Sequence, residues 1–299
     1  MNIPDIKDPF DRYIAFLIER DAIYRKKSSG QPRPWTEDKI LQTYRFTEVY
    51  RERDRTSLHY QKIVRDHYTQ DDAYVLPGTV LYRWFNRMET CEHFFCQPDM
   101  LDNKSVFEKY IEAYDINRLL FCLSKIPAPH VTGAFIINGK PGYEKGQGVI
   151  KYFHEWCVRK EWEETWKHWL LEEKPTLEEM YDWIRDGTHG LGPFMAAQIV
   201  ADLKYLPFMA NVEDWWTWAA PGPGSMKGLN AVLGRDMNAK WNSVEWLEKI
   251  QELRLAENEQ LVPLRLGPFH AQDTQNHCCE FSKYTKTMLG TGRPRQIYH

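Results

Sequence analysis

Apolar residues recur at helical spacing along most of the chain. Between residues 8 and 27, Phe10, Ile14, Phe16, Leu17 and Ile23 predict a helix that stops at Ser28-Ser29-Gly30. Pro34-Trp35-Thr36-Glu37-Asp38 reads as a helix start with Thr36 as cap, and the stretch onward to about Tyr68 as one or two helices. Residues 75–80 carry Pro77 and Gly78 and predict a loop or short turn. Residues 81–95, 105–123, 148–171, 176–185, 193–205 and 244–257 predict further helices. Residues 131–142 fit either a short strand with an Asn138-Gly139 turn or an irregular loop over a cleft. There is no internal repeat or low-complexity linker. The pattern predicts a mainly α protein, with residues 1–299 as one integrated helical domain or two lobes around a cleft.

Composition narrows the class without choosing a function. Hydrophobic residues make up 42% and charged residues 27%, with 12 Trp, 16 Tyr and 14 Phe. Such an aromatic load excludes a disordered chain and suits either a core or base-stacking platforms. No apolar run reaches the ~20 residues that span a bilayer, and the first dozen residues are too polar for a signal peptide, so no membrane partner is expected. The six cysteines lack any C-x-x-C spacing, which favours a reducing cytoplasm over a disulfide framework or zinc site. Ten scattered histidines show no H-E-x-x-H, so no metal site is expected. Net charge is −3, but residues 45–55 and 283–295 are basic while residues 155–186 are acidic. DNA, if bound, is expected to meet the two basic regions and avoid the acidic middle.

Local motifs supply the chemistry. Thr188-His189-Gly190-Leu191-Gly192-Pro193 predicts a glycine turn between two helices, with Pro193 where a first helical position needs no N–H. Free backbone N–H groups at a helix start form a phosphate seat. The turn resembles the helix-hairpin-helix of DNA glycosylases, although His189 stands where that family usually has Pro. Asp214 lies about as far beyond Gly192 as the catalytic Asp of those enzymes; a plain glycine turn with a surface Asp is the alternative. At Arg45–Arg55, helical spacing places Arg51, Asp54 and Arg55 on one face, suited to phosphate or to a solvated salt-bridged surface. Gln198 and Asp202 are four apart on the helix after the turn, either as site residues or as a polar pair over the core. Trp215-Trp216-Thr217-Trp218 reads as core before base platform. Asn276, Lys283, Arg293 and Arg295 lie in a C-terminal stretch dense enough in polar and aromatic residues to dock on the body.

Taken together, these motifs resemble the phage α-glutamyl/putrescinyl-thymine pyrophosphorylases, or amino acid:DNA transferases. The likeness runs through Pro34-Trp35-Thr36, Arg45-Phe46, Tyr50-Arg51, Asp54-Arg55 and Gly133-Ala134-Phe135-Ile136-Ile137-Asn138-Gly139. It continues through Pro193–Ile199, Gly222-Pro223-Gly224-Ser225, Asn276 and Cys279-Glu280-Phe281 to Lys283-Tyr284. The helical domain attached to phage hydroxymethyluracil-DNA kinases is similar too, but no Gly-x-x-x-x-Gly-Lys-Ser/Thr loop occurs here, which argues against reading this chain as a kinase.

The resemblance implies a DNA-glycosylase-like helical fold in a phage-infected host cytoplasm. It implies an enzyme that replaces a pyrophosphate on the thymine methyl with an amine, using double-stranded DNA with modified thymine and an amino acid or polyamine as donor. Base extrusion, a cationic site for the leaving group and a proton acceptor would be required. On that reading Arg51, Arg55, Lys283 and Arg293 take phosphate groups, and Asp214 and Asp54 act as base or amine orienter. Gln198, Asp202 and Asn276 meet the substrate, and Gly190, Leu191 and Gly192 hold the DNA backbone. Mg²⁺ enters only with the pyrophosphate. The rivals are a base-excising glycosylase and a non-catalytic reader of modified DNA.

Overall fold

The computed structural model describes residues 3–69, 73–97, 103–134 and 136–298. Phe135, part of the motif quoted above, lies outside them. Among the described residues the fold is helical, as the spacing predicts, with no strand; Tyr44 and Ile297 form an isolated antiparallel bridge. The chain divides into two compact units: Met1–Asp54 with Trp216–His299, and Arg55–Trp215 between them in sequence.

In the first unit, α1 (Pro9–Ser28) starts at Asp8, whose carboxylate accepts the Asp11 N–H at 2.9 Å. The cap of α2 (Lys39–Thr43) is Asp38, which accepts from the N–H groups of Ile40 and Leu41. Thr36, the expected cap, instead accepts the Asp38 N–H at 3.1 Å. The arginine cluster also departs from expectation. Arg51–Arg53 makes one 3-10 turn and Asp54 is extended (φ −67, ψ 141), so Arg51, Asp54 and Arg55 share no helical face.

The second unit holds α3 (Arg55–Tyr60), α4 (Val75–Phe85), α5 (Met88–Phe95), α6 (Val106–Ala113) and α7 (Ile116–Ser124). It continues with α8 (Lys145–Cys157), α9 (Glu161–Leu171), α10 (Leu177–Gly187) and α11 (Pro193–Leu203). Every residue of α4 is buried, although its first half was expected to be a loop. Pro77 falls in the first turn, where its missing N–H costs nothing, and the absent side chain of Gly78 admits Val64, which would stand 3.1 Å from a Cβ. Left-handed Asn86, Tyr114 and Lys160 break three runs that were expected to be continuous helices. Residues 131–142 form the irregular loop of the two alternatives, with no strand among the described positions.

Returning to the first unit, α12 (Pro223–Val232), α13 (Ser243–Leu261) and α14 (Ala271–Met288) complete the chain. A Cβ on Gly228 would lie 1.7 Å from the Cys278 carbonyl oxygen, so α12 and α14 meet backbone to backbone. Beneath them Glu257, fully buried, accepts from the Tyr13 hydroxyl at 2.5 Å and pairs with His277 Nδ1 at 3.0 Å. His277 Nε2 donates to the Val49 carbonyl at 2.8 Å, which ties α1, α13 and α14 into one core. Among the described residues no helix is long and apolar enough to cross a membrane.

Candidate nucleic-acid interface

The glycine turn is built from α10 upward. Leu177, Met180, Tyr181 and Ile184 bury one face of α10 at helical spacing. Its first turn is held by a Thr176–Glu179 capping box and by Asp214, whose two oxygens accept the N–H groups of Leu177 (2.8 Å) and Glu178 (3.0 Å). At the far end, Arg159 Nη2 donates to the Gly187 carbonyl at 2.6 Å. The chain then turns through residues 188–192 into α11.

That turn is fixed from inside. Leu191 is 3% exposed and donates its N–H to the Thr188 carbonyl at 3.1 Å. Gly190 has φ +85, and a Cβ there would sit 2.5 Å from the Tyr152 ring, which His189 meets edge-on at 5.2 Å. Gly192 caps α11 without a side chain, Pro193 takes the first helical position, and Met195 and Ala196 bond back to the Gly192 carbonyl. Among the described residues no acceptor takes the N–H of Gly190 or Gly192, and the buried Thr188 hydroxyl has no partner. Backbone donors without an acceptor, next to a helix start, attract an anion.

An open groove of about 560 Å³ runs along this turn, lined by Asn138, Arg159 and residues 185–193. Its electrostatics follow from pairing. Arg185 is compensated by Asp186 (2.7 and 2.8 Å) and Asp182 (2.6 Å), and its hydrogen bonds hold the Asp186 carboxyl below the usual range. Arg159 is exposed, and among the described residues no carboxylate pairs with it. The groove therefore offers one uncompensated guanidinium beside free backbone donors. Residues 155–186, expected to repel DNA, supply both of its arginines.

The remaining expected residues are dispersed. Asp202 is 4% exposed and forms a two-point pair with Arg83, Nη2 to Oδ1 at 2.8 Å and Nε to Oδ2. Arg83 also donates to Asn86 and Ser57, so Asp202 binds α11 to α4 through the core instead of facing a substrate. Gln198, on the same helix, is half-buried. Both oxygens of Asp214 are engaged at α10. Asn276 and Lys283 do come together: Asn276 Nδ2 donates to Thr47 Oγ1 at 3.3 Å, and Lys283 pairs with Glu280 at 2.5 Å. Glu280 also accepts the Thr47 N–H at 3.4 Å. Under them lies Arg20, a residue the motifs missed because it looks like any charged position of α1. It is 3% exposed and donates to the Thr47 carbonyl. Arg293 and Arg55 are exposed, and Arg55 opens α3 in the second unit while Arg51 and Asp54 belong to the first. Of the tryptophans, Trp218 is buried, Trp215 stacks under the Lys204 ammonium at 3.9 Å, and Trp216 is 46% exposed. Among the described residues no three His, Cys, Asp or Glu side chains group to hold a metal.

Residues 7–293 match the family described as 5-hmdU DNA kinase, helical domain. A 5-hmdU DNA kinase of Bacillus phage SP10 is 40% identical over 239 residues, which cover 75% of this chain and 36% of the relative. The chain thus spans about a third of the length of that relative. No solved structure matches it. These findings overturn the expected exchange of pyrophosphate for an amine, because the relative is named for phosphorylation. The amine donor and the acid–base roles of Asp214 and Asp54 in that exchange fall with it. Of the two resemblances, the one to the helical domain of the kinases is supported. The chain belongs to the family of the 5-hmdU DNA kinase helical domain, among phage enzymes of thymine hypermodification.

Proposed function

We propose that this chain grips duplex DNA carrying 5-hydroxymethyldeoxyuridine and holds the modified base for phosphorylation at its hydroxymethyl oxygen. The turn at residues 188–193 carries the reading: the N–H groups of Gly190 and Gly192, which no acceptor takes among the described residues, lie just before an eleven-residue helix and line one groove with Arg159. That combination suits a DNA phosphate, as in the helix-hairpin-helix the turn resembles. The relative's name supplies the modified base and the reaction. With no Gly-x-x-x-x-Gly-Lys-Ser/Thr loop in these 299 residues, we assign the grip to this chain and phosphoryl transfer to a nucleotide-binding domain, on the same or another chain. The hydroxymethyl group projects into the major groove, and extrusion of the held base, at a cost of a few kcal/mol, would carry it clear of the flanking phosphates into a phosphoryl-transfer site.

Fluorescence anisotropy tests this with duplexes that contain either one 5-hydroxymethyldeoxyuridine or thymine at the same site. The modified duplex should bind more tightly, and affinity should fall with salt at a slope near −1, about one unit for the phosphate that Arg159 neutralises. Combining Gly190→Ala with Arg159→Gln should weaken binding roughly tenfold, about 1.4 kcal/mol, and flatten that slope. Equal binding by the double variant would remove the turn from the interface.

A further inference from the structure

The loop that brings Asn138 to the groove also carries an exposed apolar residue, Ile136, as its tip. On the way out, the Thr132 N–H donates to the Phe85 carbonyl at 2.9 Å and the Ala134 N–H to Thr132 Oγ1 at 3.1 Å. On the return, Ile137 is 3% exposed and the Asn138 carbonyl accepts from Trp84 Nε1 at 3.4 Å. Gly139 lies against α8, where a Cβ would stand 2.7 Å from the Lys145 carbonyl oxygen. Between these anchors Ile136 is 77% exposed, more than any other large hydrophobic side chain among the described residues. Among the described residues nothing covers most of this side chain, whereas its neighbour Ile137 is buried, and burial of Ile136 against a partner would be favourable.

Position and charge say what would cover it. Asn138 lines the groove, and two residues of chain place the Ile136 Cα within about 7 Å of the Asn138 Cα. The tip therefore stands beside the backbone donors of the turn, and the exposed Lys145 flanks its base. A partner that offers an apolar slot next to an anionic strand is a nucleic-acid duplex, whose base stack lies just inside its phosphates. Apolar side chains inserted at a base step unstack it.

We propose that Ile136 is a wedge that enters the base stack of DNA held at the turn and opens the step next to the modified base. The proposal rests on the grip assigned above and goes beyond it by naming the residue that displaces the stack. Its test separates the two. A duplex with 2-aminopurine beside 5-hydroxymethyldeoxyuridine reports binding through anisotropy and unstacking through fluorescence. The full chain should bind and brighten the probe several-fold. Ile136→Ala, with an unchanged melting temperature, should bind within about threefold of the parent yet lose most of the brightening, and Ile136→Phe should retain it. Equal brightening by Ile136→Ala overturns the wedge, as does wild-type binding without brightening, and either result leaves the grip standing. Absence of binding by the wild type at any salt concentration overturns both. If Ile136→Ala brightens the probe normally but turns a dimer into a monomer in sedimentation, the tip belongs to a second copy and the wedge fails.

Discussion

Asp202 and Asp186 are both carboxylates paired with arginine, and their surroundings give those pairs very different weight. Asp186 is exposed, and its pair with Arg185 is screened by water, so it adds little to stability. Asp202 and Arg83 are each 4% exposed at the side chain, where removal of one partner leaves a desolvated charge. Asp202→Ala is therefore expected to cost about 3–5 kcal/mol in denaturant unfolding. Replacing both partners, as in Asp202→Leu with Arg83→Met, should recover much of that loss, because the apolar pair strands no charge. A loss below about 1 kcal/mol in the single variant would show that water reaches the pair. The same geometry explains why the structural role of Asp202 was out of reach of the sequence. Spacing along a helix places it four residues from Gln198, but only the fold reveals Arg83, which is 119 positions away.

At the scale of elements, the glycine turn was legible because its signal is local: Gly190 admits the positive φ of the turn and Pro193 fits a first helical position, and both can be read from neighbouring residues. α4 was not legible. Its Pro77 and Gly78 are read as breakers wherever they occur, yet Pro77 sits in a first turn and Gly78 at a close contact, and both facts require the finished helix. The face expected at Arg51, Asp54 and Arg55 failed for the opposite reason, since helical spacing is only a possibility until the backbone is helical. The C-terminal stretch docks on the body as its density of polar and aromatic residues predicts, and α14 goes further into the core, held by the Glu257–His277 pair whose members lie 20 residues apart. Asp214 shows how a residue found by spacing can serve the site indirectly. It caps α10, the helix that leads into the turn, and one lost cap costs about 1 kcal/mol. Asp214→Ala should lower stability by that amount and speed hydrogen exchange at the Leu177 and Glu178 amides. Unchanged exchange there would mean that Asp214 does not hold α10.

For the whole molecule, net charge and division into units point the same way. A chain of net charge −3 draws no DNA by its total field, so any grip depends on a local arrangement such as Arg159 with the turn. Every residue of that arrangement lies in Arg55–Trp215. This unit has its own core in α4, its own buried charge pair and its own capped α10, with Asp214 included just before its end. Its length is near the ~150 residues at which a domain buries roughly 70% of its unfolded surface. Residues 55–215 expressed alone should therefore unfold cooperatively and bind duplex DNA with the salt slope of the full chain. The preference for 5-hydroxymethyldeoxyuridine over thymine then becomes the informative quantity. If the fragment keeps it, base recognition resides with the turn and Ile136; if the fragment binds both duplexes equally, the Thr47–Asn276–Lys283 cluster of the other unit becomes the place to look for it. A fragment that melts without a transition would show that the unit takes its stability from the segments that flank it in sequence, and would remove the independence argued here.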